Sequence, residues 1–166
     1  LILLVALLAL SYVPAQSPAA PAPTPTKPIE LKLANFLPPK HVATVGVVEP
    51  YAEEVKKRTG GRVNIVVYSS EALGKAPAYY DMVRTGAADI ALIVPAYTPG
   101  TFPLSYIFSL PFAFQNATVP SRVWWQLYKK GRYDMEYAEV QVLGLYVAAP
   151  YAIFTTKKKV ASLEDL

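Results

Sequence analysis

The residue types with which this chain could do acid–base, nucleophilic or metal chemistry are few. It has one histidine, His41, no cysteine, and carboxylates that stand mostly singly, with adjacent pairs such as Glu53-Glu54. Neighbouring positions on a helix point in different directions, so that pair does not form an acid–base couple. A triad would have to be built on His41 alone. No G-x-S-x-G, H-E-x-x-H, phosphate-binding loop or dinucleotide fingerprint occurs in the sequence. The absence of cysteine excludes disulfides, thiolate metal sites and a lipid-bearing cysteine within it. The expectation is a protein that is not an enzyme, with no cofactor and no metal.

What remains is recognition, and the residues suited to it are prolines and aromatic rings. In 95–112, Pro95, Pro99, Pro103 and Pro111 alternate with Tyr97, Phe102, Tyr106, Phe108 and Phe112. Proline fixes the backbone in advance, and rings offer large contact area at low entropy cost, which suits a preformed pocket. The alternative is that these rings pack the loop onto the body of the protein.

Such a loop needs a scaffold. In 29–36, Ile29, Leu31 and Leu33 alternate with Glu30 and Lys32, as in a half-buried strand. From Val42 the apolar positions Val45, Val48, Ala52 and Val55 recur at helical spacing until Thr59-Gly60-Gly61, a helix stop, with Pro50 kinking the helix or opening its second half. A second strand over 62–70, a helix over 77–89 closing at Gly86 and an apolar third strand over 90–94 follow. Strand, helix, strand, helix, strand is an α/β layer structure with two right-handed crossovers. In open parallel sheets ligands bind at the carboxyl ends of the strands. The candidate solute contacts there are Asn35, Phe36 and His41 after the first strand, Leu73 and Gly74 after the second, and Val94, Pro95, Tyr97 and Phe112 after the third. Further on, 121–140 carries Val123, Leu127 and Trp124-Trp125 at helical spacing, with the tryptophans read as core. The stretch 142–156 reads as a long strand broken by Pro150.

With 166 residues, 53% hydrophobic and 17% charged, the chain can bury one ordinary domain and part of a second. Its first 26 residues carry no charge and begin with LILLVALLAL. That run falls short of the roughly 20 residues of a membrane-crossing helix and reads as the core of a signal peptide over 1–15. Neither an initiator methionine nor a basic region precedes it, and the sequence stops at what looks like a helix start near Ser162, so both true termini are expected to lie outside it. Pro18, Pro21, Pro23, Pro25 and Pro28 make 16–28 an extended tether or a remnant without a role. The net charge is +4, and basic runs stand at Lys56-Lys57-Arg58, Lys129-Lys130 and Lys157-Lys158-Lys159. Cations at such places complement helix dipoles or solvate a surface, and nucleic acid is not an expected partner.

The ensemble FLPPKH, VEPYAEEVKKRTGGRVNIVVY, LGKAPAYYDMVRTGAADIALIVPAYTPGTFPL and FSLPF resembles the substrate-binding subunits of tripartite ATP-independent periplasmic (TRAP) transporters, over about 29–166. The resemblance implies a periplasmic-binding-protein-like fold of two α/β lobes, with lobe 1 over 29–148 and the hinge and start of lobe 2 over 149–166. It places Tyr151 at the hinge as a further solute contact. It also implies a periplasmic or otherwise extracytoplasmic receptor that captures a small organic acid and delivers it to two integral membrane subunits driven by an ion gradient. The receptor of an ATP-driven importer shares the two-lobe plan and stands as the alternative.

Departures from the family pattern shape the expected solute. The arginine that commonly grips the ligand carboxylate would lie just after Leu166. Where some members carry another arginine this chain has Ala152. Val94 stands in place of an acidic residue, and Phe36 in place of an asparagine. Such an apolar half-pocket suits an apolar or aromatic body with one carboxylate better than a sugar acid, because each unpaired buried polar group costs about 1–3 kcal/mol.

Overall fold

The computed structural model describes residues 27–110, 113–148, 155, 156, 159, 160 and 162. Phe112 and Tyr151 lie outside the described residues, as does the run read as a signal peptide. Three parallel strands, β1 (Ile29–Ala34), β2 (Val63–Tyr68) and β3 (Ile90–Ala91), form one sheet in the order β2-β1-β3. Ile29 pairs with Val63 through to Ala34 with Tyr68, and Leu33 and Ala34 pair with Ile90 and Ala91.

Successive side chains of a strand point to opposite faces, and both faces of this sheet are covered. Leu33 joins Ile65 in a cluster with Val48 and Ala52 of the first helical segment, while the next residue, Ala34, packs with Tyr79 and Ala88. The helical segment begins as expected near Val42. It makes one π-type turn over Thr44–Val48 and continues as α1 (Glu49–Arg58). Pro50 has no N–H for an i→i−4 bond, and the Glu49 N–H reaches back five residues to the Thr44 carbonyl. Pro50 thus opens the second half of the segment. Gly60 and Gly61, both at positive φ, end α1, with the Gly61 N–H bonded to the Lys56 carbonyl.

The second crossover is a short 3₁₀ turn at Ala76–Ala78, then α2 (Tyr79–Thr85), stopped at Gly86 with φ 78°. The third strand is shorter than the 90–94 read from sequence. The Leu92 N–H still donates to the Ala34 carbonyl and the Asn35 N–H continues the β1–β2 pattern onto the Tyr68 carbonyl, but the Asn35 carbonyl accepts from Glu71 N–H in the loop, and β1 ends at Ala34. Among the described residues no strand partners those beyond Leu92.

The helix expected over 121–140 is α3 (Thr118–Lys129). The Asn116 Oδ1 caps it by accepting from Val119 N–H, and a Schellman turn at Gly131 closes it, with the Arg132 N–H donating to the Leu127 carbonyl. Trp124 is core as read, stacked on Phe108 at 4.6 Å, whereas Val123 is 42% exposed and not on the packed face. The strand expected over 142–156 is absent in its described part. Residues 142–148 run irregularly, tied to α3 where Val147 N–H donates to Ser121 Oγ. Among the described residues no strand lies beside them to satisfy a ladder.

Candidate functional site at the carboxyl edge of the sheet

The loops after β1 and β2 are fastened to one another at the carboxyl ends of their strands, and Asn35 is the fastener. Fully buried, it donates from Nδ2 to Thr44 Oγ1 (3.0 Å) and Ser69 Oγ (3.2 Å), and its Oδ1 accepts from Leu37 N–H (3.1 Å). Expected to touch solute, Asn35 instead spends its amide on the loops after β1 and β2. Leu73 likewise packs toward Ala34, Tyr79 and Ala88. Gly74 sits above Met82, whose Sδ would lie 3.0 Å from an added Cβ.

The loop after β2 is held in a costly conformation. Ser70 and Glu71 take φ of 55° and 60° in succession, a left-handed backbone that costs on the order of 1–3 kcal/mol per non-glycine residue. Four bonds hold it: Ser70 N–H to the Leu37 carbonyl, Glu71 N–H to the Asn35 carbonyl, and the Glu71 carboxylate to Lys75 Nζ and Ala76 N–H, both at 2.9 Å. The Lys75 ammonium, with the Ala76 N–H, holds the Glu71 carboxyl below its usual range. His41 is exposed and uses Nδ1 to accept from Ala43 N–H, which makes it a cap for the helix entry.

Two of the expected contacts come together as a pair. Phe36, half-buried, meets Tyr97 edge-on at 5.8 Å between ring centroids, and Tyr97 remains 46% exposed. Pro95 opens the 3₁₀ turn Pro95–Tyr97 that carries the ring, closed by Tyr97 N–H to the Val94 carbonyl. Other rings of the same loop pack: Phe102 is buried between Tyr80 (4.9 Å) and Tyr137 (5.3 Å), and Phe108 lies on Trp124. Phe102 and Phe108 therefore pack the loop onto the body, whereas Tyr97 stays half open.

A residue that sequence reasoning missed anchors this loop. Glu136 is 7% exposed; its Oε1 accepts from Leu104 N–H, and its Oε2 from Ser105 N–H (3.1 Å) and Ser105 Oγ–H. Ser105 Oγ is also 2.8 Å from Tyr137 Oη. Because the carboxylate only accepts, the serine proton goes to Glu136, and Tyr137 must donate to Ser105. Burial above all pushes the Tyr137 hydroxyl up to about 12, so it stays a donor. Nothing local in YDMEYAEV marks Glu136, since its partners lie about thirty residues upstream.

Beside this edge, a groove of about 510 Å³ runs between β3 and 140–148, floored by Phe108, Phe114 and Trp124. Val94 and Pro95 line it; the Phe36–Tyr97 pair stands outside it. Among the described residues no group of three or more histidines, cysteines or carboxylates could hold a metal, and no described helix is long and apolar enough to cross a membrane.

A parallel sheet covered on both faces, with preformed loops gathered at its carboxyl edge, is an architecture that binds ligands at that edge. Residues 33–166 match the family model for bacterial extracellular solute-binding protein, family 7, and the chain belongs to that family, which comprises TRAP substrate-binding subunits. It is 31% identical over 137 residues to the outer membrane transporter protein TsaT of Comamonas testosteroni, covering 82% of this chain and 40% of that protein. A marine metagenome TRAP solute-binding protein specific for aromatic acid ligands, in complex with metahydroxyphenylacetate, superposes with a TM-score of 0.69 at 30% identity, over 74% of this chain and 38% of that one. A TRAP solute-binding protein of Rhodoferax ferrireducens with copurified benzoate gives 0.65 at 33% identity, over 71% and 37%. The chain thus spans about two fifths of the length of these relatives.

Proposed function

We propose that this chain supplies the first lobe of an extracytoplasmic receptor that captures a small organic acid with an aromatic or otherwise apolar body and releases it unchanged. The observation that carries the reading is the Phe36–Tyr97 pair. One ring supports the other edge-on at the carboxyl edge of the sheet, leaving Tyr97 half open with a flat face and a hydroxyl. Edge-to-face support fixes a ring where a second ring can stack on it. Val94 and Pro95, which lead into the turn that carries Tyr97, are apolar. The carboxylate would be paired by a cation from the second lobe. The aromatic acids bound by the two similar structures support this solute class.

The receptor reading extends to two integral membrane subunits that accept the solute at the expense of an ion gradient, as the family membership suggests. Capture is tested by calorimetric titration of the full-length protein with benzoate, metahydroxyphenylacetate and glucuronate. Binding of the aromatic acids and none of glucuronate supports the solute class; the reverse order overturns it. Delivery is tested in vesicles bearing the two membrane subunits. Uptake that needs both the receptor and an imposed ion gradient, without ATP, is the expected result.

A further inference from the structure

We infer that Glu136, outside the solute-contacting edge, is the positioning residue that sets affinity, by fixing the loop on which Pro95 and Tyr97 ride. The inference rests on the reading of Tyr97 as a solute contact.

The loop from Val94 to Leu110 is held by its rings and by one carboxylate. The rings resist lifting but tolerate sliding, because stacked and edge-on contacts vary gently with displacement. Phe102 between Tyr80 and Tyr137, and Phe108 on Trp124, are contacts of this kind. Hydrogen bonds fall away steeply with distance and angle. The carboxylate of Glu136 takes the N–H groups of Leu104 and Ser105 and the Ser105 hydroxyl, at the start of the 3₁₀ helix Ser105–Ser109. Among the described residues it forms, with the Tyr137 hydroxyl on Ser105 Oγ, the hydrogen-bonded part of the attachment, the part that fixes register.

A buried carboxylate is costly unless its oxygens are filled. Among the described residues no salt bridge reaches Glu136. Its charge is answered by the loop's own donors and, through Ser105, by the Tyr137 hydroxyl. Capping the helix alone would need only a serine or asparagine. A charge placed there makes bonds about twice as strong as neutral ones, which suits a loop whose far end must present Tyr97 without adjustment when solute arrives.

Glu136→Gln keeps the shape and removes the charge. Its amide offers one acceptor oxygen in place of two, so one loop N–H loses its partner. In the full-length protein we expect amide hydrogen exchange at Leu104, Ser105 and Tyr97 to accelerate about tenfold or more, while exchange in β1, β2 and α1 is unchanged. Affinity for benzoate should fall roughly tenfold, chiefly through faster dissociation. Ser105→Ala, which keeps the two N–H bonds and removes the hydroxyl relay, should give a smaller effect of the same kind, and Glu136→Ala a larger one.

Unchanged exchange at Tyr97 in folded Glu136→Gln overturns the inference without any ligand. So does a lowered melting temperature with wild-type affinity, the signature of a merely structural role. If Tyr97→Ala leaves benzoate affinity intact, or benzoate does not bind the wild type, the functional reading of Tyr97 fails, and the exchange data still decide whether Glu136 positions the loop.

Discussion

Truncating a ring of the 95–110 loop should cost different things at different positions. Phe102 and Phe108 are buried among other rings, so their loss would be paid in stability, as would that of Trp124. Trp124→Ala should destabilise the full-length protein by about 3–5 kcal/mol, the range for a buried aromatic, in chemical denaturation. Phe36→Ala removes the support of an exposed ring. Its effect should appear in solute affinity, by about 1–3 kcal/mol, with a smaller change in melting. Asn35→Ala is expected to lose about 1–3 kcal/mol of stability, because Leu37 N–H and the hydroxyls of Thr44 and Ser69 lose a buried partner. Tyr137 gives a pH signature. Its folded pKa is raised from 10.0 to about 12, chiefly by burial, so the folded state holds a proton that the unfolded state releases first. Stability from this source is intact below about pH 10 and declines as pH rises toward 12. Urea unfolding across that range should show a shallower decline in Tyr137→Phe.

At the level of elements, local signals were legible and distant ones were not. The alternation in IELKLA, the glycine stop after α1 and Gly86 after α2 each mark an element by chemistry contained within a few residues, and all three stand where the sequence placed them. The π-type turn ahead of Pro50 follows from the missing N–H, yet periodicity cannot distinguish it from a kink. The strand read over 142–156 shows the other limit. Val142, Leu143, Leu145 and Val147 have strand-like composition, but a strand is defined by its neighbour, and 142–148 faces a groove instead of a ladder. Helix α3 ends earlier than its periodic pattern because Gly131, at φ 73°, turns the chain. An added Cβ there would lie 2.9 Å from Asp134 Oδ2, so Gly131→Ala should cost about 1–2 kcal/mol for the left-handed backbone alone, measured by thermal unfolding. The candidate site divides the same way. That loops gather at one edge is implicit in the strand order; that Asn35 serves the loops and Glu136 holds them depends on contacts no short window contains.

On the scale of the molecule, a groove of about 510 Å³ lies open between β3 and 140–148. An unpaired strand edge beside an apolar groove is a surface that folded proteins cover. Expressed by itself, the 166-residue chain should melt at lower temperature than the full-length protein, bind a hydrophobic dye and associate with rising concentration; a cooperative monomeric melt matching the full-length protein would count against this. The proposed capture of an aromatic acid at the carboxyl edge turns on Tyr97. Calorimetric titration of wild-type and Tyr97→Ala full-length protein with benzoate, beside their thermal unfolding curves without solute, tests it most directly. One-to-one binding weakened by about 1–3 kcal/mol in the variant, with little change in melting, is expected. Equal affinity together with a lowered melting temperature would show that Tyr97 packs the loop and does not hold the solute.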